Sequence, residues 1–562
     1  MGLLEKHFDL AFAAPDGIKK LRELILTLAM QGKLVPQDPN DQPASELLEE
    51  IEAEKKRLVK EGKIKQPKPL PEIKPDQVPY DLPKSWEWVR LGEIVSLLGD
   101  GIHGTPAYDE TGEYFFINGN NLSDGIVEIK ESTKKISIYE YQKYKKELNS
   151  RTVMVSINGT IGNVAFYNNE NIVLGKSACY FNLFEKIDKQ FTKRLLNSVY
   201  FLKYAISSAT GSTIKNVSLK AMREFPFPLP PLAEQRRIVA KIDELMARCD
   251  ELEKLRSDRT QKRITVHTAA LNCLMMAKDS SDFSTAWGFI TQHFSELYSV
   301  KENVAELRKA ILQLAVMGKL VPQDPNDQPA SELLKAIAVE KEKLVKEGKI
   351  KQSKPLSEIK PEEVPYKLPD NWNWVRLGEI GEINPRNLCE DDMDAGFVPM
   401  PLIFAEYRSN HNFETRKWSE IKRGYTHFAD GDVAVAKITP CFENGKSCIF
   451  SGLPNGIGAG TTELHVFRNT FNFIYPNYLL AYFKNPRYIA LGASKMTGSA
   501  GQKRVPTEFF TLNPFPLPPL AEQRRIVATI DQLMALCDYL EKQIDNASSK
   551  QTDLLNAVMV LV

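Results

Sequence analysis

Apolar residues at Ile18, Leu21, Leu24, Ile25 and Leu28 recur at helical spacing and stop at Gly32, which predicts a short amphipathic helix. Leu307, Ile311 and Leu314 repeat the pattern ahead of Gly318. A second, highly charged helix is expected over Ser45–Lys60, with a solvated polar face and a stop at Gly62. From Lys63 to Pro83 the periodicity dissolves. Prolines at 67, 69, 71, 75, 79 and 83 forbid regular structure and predict an extended, semi-rigid connector. It ends at Trp86-Glu-Trp-Val-Arg-Leu-Gly92, which reads as a strand entering a globular domain; its twin is Trp372 to Gly378. Leu-Pro-Pro-Leu at 229–232 then places proline in the first turn of a helix. In that helix Ile238, Ile242, Leu245, Cys249 and Leu252 fall at spacings of 4, 3, 4 and 3. Ile526, Ile530, Leu533, Cys537, Leu540 and Ile544 do the same, continuing loosely through Ala547, Leu554, Val558 and Leu561. Both are heptad seams, and two such helices in one chain most economically bury their seams against each other. The competing arrangement packs each helix on its own domain.

These elements are a tandem duplication. Residues 21–94 recur nearly unchanged at 307–380, and Leu34–Leu48 is identical to Leu320–Leu334. Leu229–Ala240 reappears as Leu517–Ala528. Residues 95–228 and 381–516, between the matching flanks, do not match each other. A constant frame thus carries two divergent inserts of nearly equal length. If the repeats are related by a pseudo-twofold axis, residues near 18 lie close to residue 562, and circularly permuted chains fold. The expected segments are an N-terminal arm and connector (1–84), a first insert domain (85–228), a central frame region (229–370), a second insert domain (371–516) and a last helix (517–562).

Both inserts mix short β-type runs with Gly/Asn turns: 114–117, 152–157 and 164–167 in the first, 432–438, 447–450 and 463–467 in the second. Each then has a helical stretch (191–208 and 475–491) followed by Thr-Gly-Ser, at Thr210-Gly211-Ser212 and Thr497-Gly498-Ser499. The fold class is α+β: two similar α/β domains separated by a pair of long antiparallel coiled-coil helices, with pseudo-twofold symmetry.

Enzyme-like motifs fail on context. Gly99-Asp-Gly101-Ile-His-Gly104 fits a dinucleotide fingerprint, but Pro106 and an acidic stretch follow where a helix must start. Gly-Lys-Ser at 175–177 and 445–447 lacks the upstream glycine of a phosphate loop, with Glu170 and Pro440 in its place. Asn513-Pro-Phe515 only faintly matches an amino-methyltransferase motif and reads as a domain exit. The seven histidines show no metal spacing. No catalytic residue, metal or bound cofactor is therefore assigned, and the expected role is binding or scaffolding.

Composition changes this picture little. With 562 residues, 43% hydrophobic and 26% charged, the chain suffices for about three to five soluble domains. The net charge of +1 neither requires nor excludes nucleic acid. Seven cysteines without a Cys-x-x-Cys pair suit a reducing compartment, and Cys249 and Cys537 read as buried small hydrophobes. No run of eighteen apolar residues exists, so a cytoplasmic protein away from membranes is expected.

The insert loops are rich in amides and cations. The first carries His103, Thr105, Asn118, Asn120, Asn121, Lys134, Asn158, Lys176, Thr210, Ser212, Lys215 and Asn216. The second carries Arg386, Arg408, Asn410, Arg416, Lys437, Lys446, Thr497, Ser499, Gln502, Lys503 and Arg504. Arginine and Asn/Gln read guanine and adenine edges bidentately, while lysine and backbone amides hold phosphates. These are the candidate DNA-binding residues, with the Thr-Gly-Ser loops, Lys215 and Lys503-Arg504 as the best backbone contacts. For any one of them, a plain solvated position is the commoner alternative.

The repeated Leu-Pro-Pro-Leu-Ala-Glu-Gln-Arg-Arg-Ile-Val, the Gly-Lys-Leu-Val-Pro-Gln-Asp arms and the Trp-x-Trp-Val-Arg-Leu-Gly entries together resemble the specificity subunit of type I restriction–modification systems, in a type IB-like form. The likeness covers essentially the whole chain. It implies two target-recognition domains, each reading one half of an asymmetric, bipartite double-stranded DNA site. It also implies a subunit without chemistry of its own, which docks two methylation subunits using S-adenosylmethionine and, through the complex, two restriction/translocase subunits using ATP with Mg. Competing classes are a standalone DNA-binding protein, a nuclease or methyltransferase in its own right, and a protein-binding scaffold. If the long helices act as a ruler, four residues inserted into both seams add about 6 Å. At about 3.4 Å per base step, the unread spacer of the DNA site should then lengthen by roughly one to two base pairs, and an unchanged spacer in the methylated motif removes the ruler idea.

Overall fold

The computed structural model describes residues 9, 12–211, 215–348, 350, 355–408, 411–499 and 501–560. They form two compact units, residues 1–258 with 548–562, and residues 259–547. No helix among the described residues is long and apolar enough to cross a membrane.

In the first unit the arm is helix α1 (Gly17–Met30) and the charged helix is α2 (Ala44–Lys60). The proline-rich connector holds only a single 3-10 turn, Pro75–Gln77, as its composition predicts. It is nevertheless fixed, because buried Arg90 donates to the carbonyls of Pro71 (3.1 Å), Glu72 (3.0 Å) and Glu224 (2.5 Å) and to the Gln77 side chain (2.6 Å). Strand β1 (Glu87–Arg90) is the entry predicted from the Trp-x-Trp run.

The insert then supplies β2 (Val95–Asp100), β3 (Tyr114–Ile117), β4 (Lys134–Ile136), β5 (Thr152–Ser156), β6 (Val164–Phe166), β7 (Ile172–Leu174) and β8 (Ala178–Leu183). An antiparallel sheet runs β2-β8-β5-β6, and a smaller sheet runs β4-β3-β7, with β3 and β7 parallel. Helices 189–196 and 199–208 follow, and β9 (Pro226–Leu229) pairs back on β1 with Trp88 opposite Pro228. The long helix α3 (Leu232–Met276) starts there.

Strand β5 is buried on both faces. Val153 and Val155 join a core with Phe181, Phe191, Phe227 and arm residues Ile18 and Ile25, whereas Met154 joins Ile117, Leu174 and Tyr180 under the small sheet. The first unit therefore has three layers: small sheet, four-stranded sheet, and helices.

The second unit repeats this plan. Its arm is α4 (Lys301–Val316), followed by α5 (Ala330–Lys346) and β10 (Asn373–Arg376). The insert adds β11 (Glu382–Ile383), β12 (Asp394–Val398), β13 (Glu414–Lys417), β14 (Thr426–Ala429), β15 (Val433–Ala436), β16 (Ser447–Ile449), β17 (Ile457–Gly460) and β18 (Leu464–Arg468). Its sheets run β11-β18-β15-β16 and β13-β12-β17-β14, again with one parallel pair, β12 with β17. Strand β19 (Pro514–Leu517) pairs with β10, so Asn513-Pro-Phe515 is the domain exit, and the last long helix α6 (Leu520–Val560) begins beyond it. The mixed α+β class with paired, similar domains and two long helices stands as expected.

The seam residues lie in the cores of their units, where arm residues join them. Ile238, Ile242 and Cys249 are fully buried in their own unit, in the core that holds arm and domain residues. Arg22 of the arm reinforces this by pairing with Asp250 and Glu253 of α3 at 2.5 and 2.9 Å. Ile526, Ile530 and Cys537 are buried likewise with Ile311 and Leu314, and Arg308 pairs with Asp538 and Glu541. In the second unit that core also takes in Ala270, Leu271 and Leu274 of α3, so residues of both long helices share it. Leu252, by contrast, is 45% exposed. The expected closure at the chain ends lies in the first unit, where Phe12 and Leu24 share a cluster with Leu555; residues 561–562 are outside the described set.

The frame motif ties these parts together. Buried Glu234, in the first turn of α3, accepts from the Trp86 indole at 2.9 Å and from the Gln37 amide at 2.5 Å. Gln235 accepts from the Asp188 backbone N–H at 2.8 Å, and Arg237 forks onto Asp41 at 3.0 and 2.5 Å. The second unit reproduces each bond: Glu522 with Trp372 (3.0 Å) and Gln323 (2.6 Å), Gln523 with the Tyr475 N–H (2.7 Å), and Arg525 with Asp327 (3.1 and 2.5 Å). Burial pushes both glutamate carboxyls above their usual range, and the indole and amide donors oppose it. Glu234→Ala leaves the buried Trp86 indole without an acceptor and cuts the tie to the Gln37 amide, which keeps only the Gly32 carbonyl at 3.3 Å. It should lower stability by roughly 2–4 kcal/mol, read as a shifted urea midpoint; a loss below about 0.5 kcal/mol, the range of neutral surface changes, contradicts this role.

Candidate nucleic-acid interface

In the first unit five loops converge on one rim: those after β2, β3 and β5, the turn between β7 and β8, and the segment around Asn216. The Ile102 N–H donates to the Leu174 carbonyl (2.7 Å) and the Gly175 N–H to the Ile117 carbonyl (2.8 Å). The Ser177 hydroxyl accepts from the Gly119 N–H (2.9 Å) and donates to Asn118 Oδ1 (3.0 Å). The Ile157 N–H donates to the Ser177 carbonyl, and the Val217 N–H to the Ile157 carbonyl, both at 2.9 Å. An isolated bridge joins Asn158 to Asn216. Gly-Lys-Ser at 175–177 is thus a structural crossing of loops. Gly101 has the same character: a Cβ there would collide with the Leu174 and Gly175 carbonyl oxygens.

This rim gathers most of the first insert's candidates. Thr105, Asn120, Lys176, Thr210 and Lys215 are exposed on it, and Asn118, Asn158 and Asn216 are half-buried. His103 is exposed and hydrogen-bonded to Asp100 at 2.8 Å. Lys134 lies 5.8 Å over the exposed Tyr108 ring. Lys176 and Lys215 have no charged partner among the described residues. Asn121 is not at the surface: it is buried, and its amide donates to the Glu128 carbonyl and the Thr133 hydroxyl at 2.9 and 3.1 Å, so it shapes the loop from within. Ser212 lies outside the described residues.

The second unit builds the equivalent rim from other side chains. The Thr461 N–H donates to the Val398 carbonyl (3.2 Å), the Lys437 N–H to the Glu463 carbonyl (2.9 Å) and the Val505 N–H to the Lys437 carbonyl (2.8 Å). These bonds put Lys437 where the first unit has Ile157, Glu463 where it has Ser177, and Arg504 where it has Asn216. Thr497 and Arg504 exchange backbone hydrogen bonds at 3.0 and 2.8 Å, closing a hairpin that exposes Thr497, Ser499, Gln502 and Lys503. Lys446 is tied to the Met400 carbonyl at 3.2 Å and Arg386 to the Tyr425 carbonyl at 3.2 Å. Arg416 sits away from the rim, opposite Ala395, paired with Glu414 and stacked 3.9 Å from the Phe397 ring. Arg408 binds Asp531 of α6 at 2.6 Å, a domain-to-helix tie. Asn410 lies outside the described residues.

Three groups escaped the sequence reading. Glu463 takes both ends of Arg504, at 2.9 and 2.8 Å, and this guanidinium holds its carboxyl below the usual range. His465, buried and bonded to the Val505 carbonyl at 2.9 Å, is pushed down to about 4 by desolvation, so it supports the rim as a neutral ring. Lys484, buried and pushed down to about 8, holds the Ala405 and Gly445 carbonyls, each at 3.1 Å. Glu463 stands in a turn, His465 in β18 and Lys484 at the end of helix 476–483, and in each place only the partners reveal the role.

The two units thus share one scaffold and carry polar rims that differ in their side chains. Residues 83–260 and 369–547 match the family described as Type I restriction modification DNA specificity domain, and the chain belongs to that family. It is 59% identical over 249 residues to the type I restriction enzyme EcoAI specificity subunit of Escherichia coli, covering 44% of this chain and 42% of that protein. It is 56% identical over 249 residues to the EcoEI specificity subunit of Escherichia coli, covering 44% and 41%. The chain thus matches less than half the length of these two relatives. The crystal structure of the HsdS subunit from Thermoanaerobacter tengcongensis is 18% identical, covering 85% of this chain and 97% of that chain, with a TM-score of 0.39. On duplex DNA, Lys176→Ala with Lys215→Ala should weaken binding at every sequence. The slope of log affinity against log salt should fall by about 0.9 for each phosphate that is no longer neutralised; an unchanged slope would mean neither lysine meets a phosphate.

Proposed function

We propose that this chain is the non-catalytic DNA-recognition subunit of a type I restriction–modification complex, each unit's rim reading one half of an asymmetric, bipartite duplex site. The observation that carries this reading is the pair of equivalent rims, held by the same backbone hydrogen bonds but lined by different side chains. A frame conserved bond for bond fixes where the rims stand; rims that differ at equivalent points present different donor and acceptor patterns to bases. The family membership and the relatives named as specificity subunits support it.

In this reading Lys176, Lys215 and Lys503 meet phosphates, with Thr105, Thr210, Thr497 and Ser499 as hydroxyl donors nearby. Asn118, Asn120, Asn158, Asn216 and Gln502 are the amide readers. The long helices set the spacer and dock two methylation subunits, which supply S-adenosylmethionine chemistry; two restriction/translocase subunits join through the complex with ATP and Mg. With a net charge of only +1, the chain alone binds DNA weakly and salt-sensitively, because partner subunits complete the neutralisation of the phosphates.

Co-expression with a methylation subunit, followed by sequencing of modified host DNA, gives both half-sites and the spacer. Exchanging residues 95–225 for another family member's insert should change one half-site and leave the other as it was. Altered preference in both halves, or no sequence-specific methylation at all, overturns the modular reading.

A further inference from the structure

We propose that Arg504 reads a guanine edge in the half-site met by the second unit, and that Glu463 is the positioning residue that aims it; this rests on the DNA-recognition reading above. The Arg504 guanidinium donates from Nε to Glu463 Oε2 at 2.9 Å, from Nη2 to Glu463 Oε1 at 2.8 Å, and from Nη1 to the Gln502 carbonyl at 3.2 Å. Arginine has five N–H donors, so one remains on each Nη. Two adjacent free donors in a fixed plane match the O6 and N7 acceptors of guanine. The Arg504 side chain is 44% exposed and that of Glu463 22%, so the reader lies outside its buttress.

Two plainer roles fit less well. A staple for the hairpin is redundant, because backbone bonds already close it: Thr497 and Arg504 bond each other, the Thr439 N–H reaches the Lys503 carbonyl at 3.0 Å, and the Val505 N–H reaches the Lys437 carbonyl at 2.8 Å. A partly exposed ion pair adds little stability beyond that. A phosphate contact is poorly served by an arginine whose charge is cancelled at 2.8 Å by a carboxylate; Lys503 beside it is exposed and has no such partner among the described residues. A neutralised but rigid fork suits an uncharged, directional target, which a base edge is. The equivalent place in the first unit carries Asn216, bridged to Asn158, an amide of the adenine-reading type. This position therefore differs between the two rims in the chemistry of the base it fits.

The test uses the full chain complexed with methylation subunits, selecting duplexes from a randomised DNA library, with affinity measured across salt. The double substitution R504Q/E463Q keeps the net charge; R504K keeps the cation but removes the fork. Both should relax one guanine position by roughly ten- to a hundredfold, leaving the other half-site and the salt slope as in the parent. Guanine discrimination equal to the parent's in either variant overturns the assignment. So does a uniform loss of affinity with unchanged discrimination and a slope reduced by about one in R504Q/E463Q, the signature of a phosphate contact. Loss of all selection by a folded R504K complex also overturns it, since one fork does not carry a whole site. A parent complex that selects no motif sinks the DNA-recognition reading instead.

Discussion

Two buried carboxylates organise this protein. Glu234 and Glu522 each stand in the first turn of a long helix, where the helix dipole favours an anion, and each accepts from a tryptophan indole and an arm glutamine. One side chain thereby fixes three things: where the recognition domain enters, where the arm crosses, and where the helix starts. The neighbouring Gln and the second Arg of the motif extend the same logic, to the Asp188 or Tyr475 backbone and to Asp41 or Asp327. An unpaired buried carboxylate is costly, so the arrangement is specific: the helix, arm and entry strand fit together in one way or leave a charge stranded.

That constraint also sets the arm beside the seam. With Gln37 bound to Glu234 in the first turn of α3, and Arg22 bound to Asp250 and Glu253 further along it, the apolar stripe of α1 lies beside Ile238, Ile242 and Cys249. Heptad spacing identifies which face of a helix is buried but carries no information about the partner. The stripe was therefore legible in the sequence, and the arm's share in its core was not.

The elements separate along the same line. Repeated segments, the proline connector, the entry strands and a helical stretch after each sheet could be read directly, because identity, proline density and periodicity are local properties; that each stretch is broken into two helices was not. Strand β8 (Ala178–Leu183) was missed, since a strand buried on both faces shows no alternation. Rim side chains were legible by type, as amides and cations between strands. Their sorting was not: Asn121 turned inward, Arg408 went to Asp531, and Arg504 found Glu463 from 41 residues away. Each outcome depends on a partner brought in by topology.

The layering shows how rims of different chemistry stand on one frame. In β5 and β15 alternate residues face opposite ways: Val153 and Val155, like Val433 and Val435, enter the core shared with arm and long helix, whereas Met154, Ala434 and Ala436 enter the core under the smaller sheet. The rim loops hang from the strand ends, held by backbone hydrogen bonds, with Ile157, Val217 and Val505 anchored in the frame cores. The exposed rim side chains Lys176, Lys215, Gln502 and Lys503 enter neither core, and distant, unshared contacts contribute almost additively to stability. The chemistry of the rim can then change with little cost to the geometry that places it. The second unit illustrates this: it exchanges Ser177 and Asn216 for Glu463 and Arg504 and adds strand β14 to the small sheet, yet the Trp–Glu, Gln and Arg contacts of its frame match the first unit's to within a few tenths of an ångström.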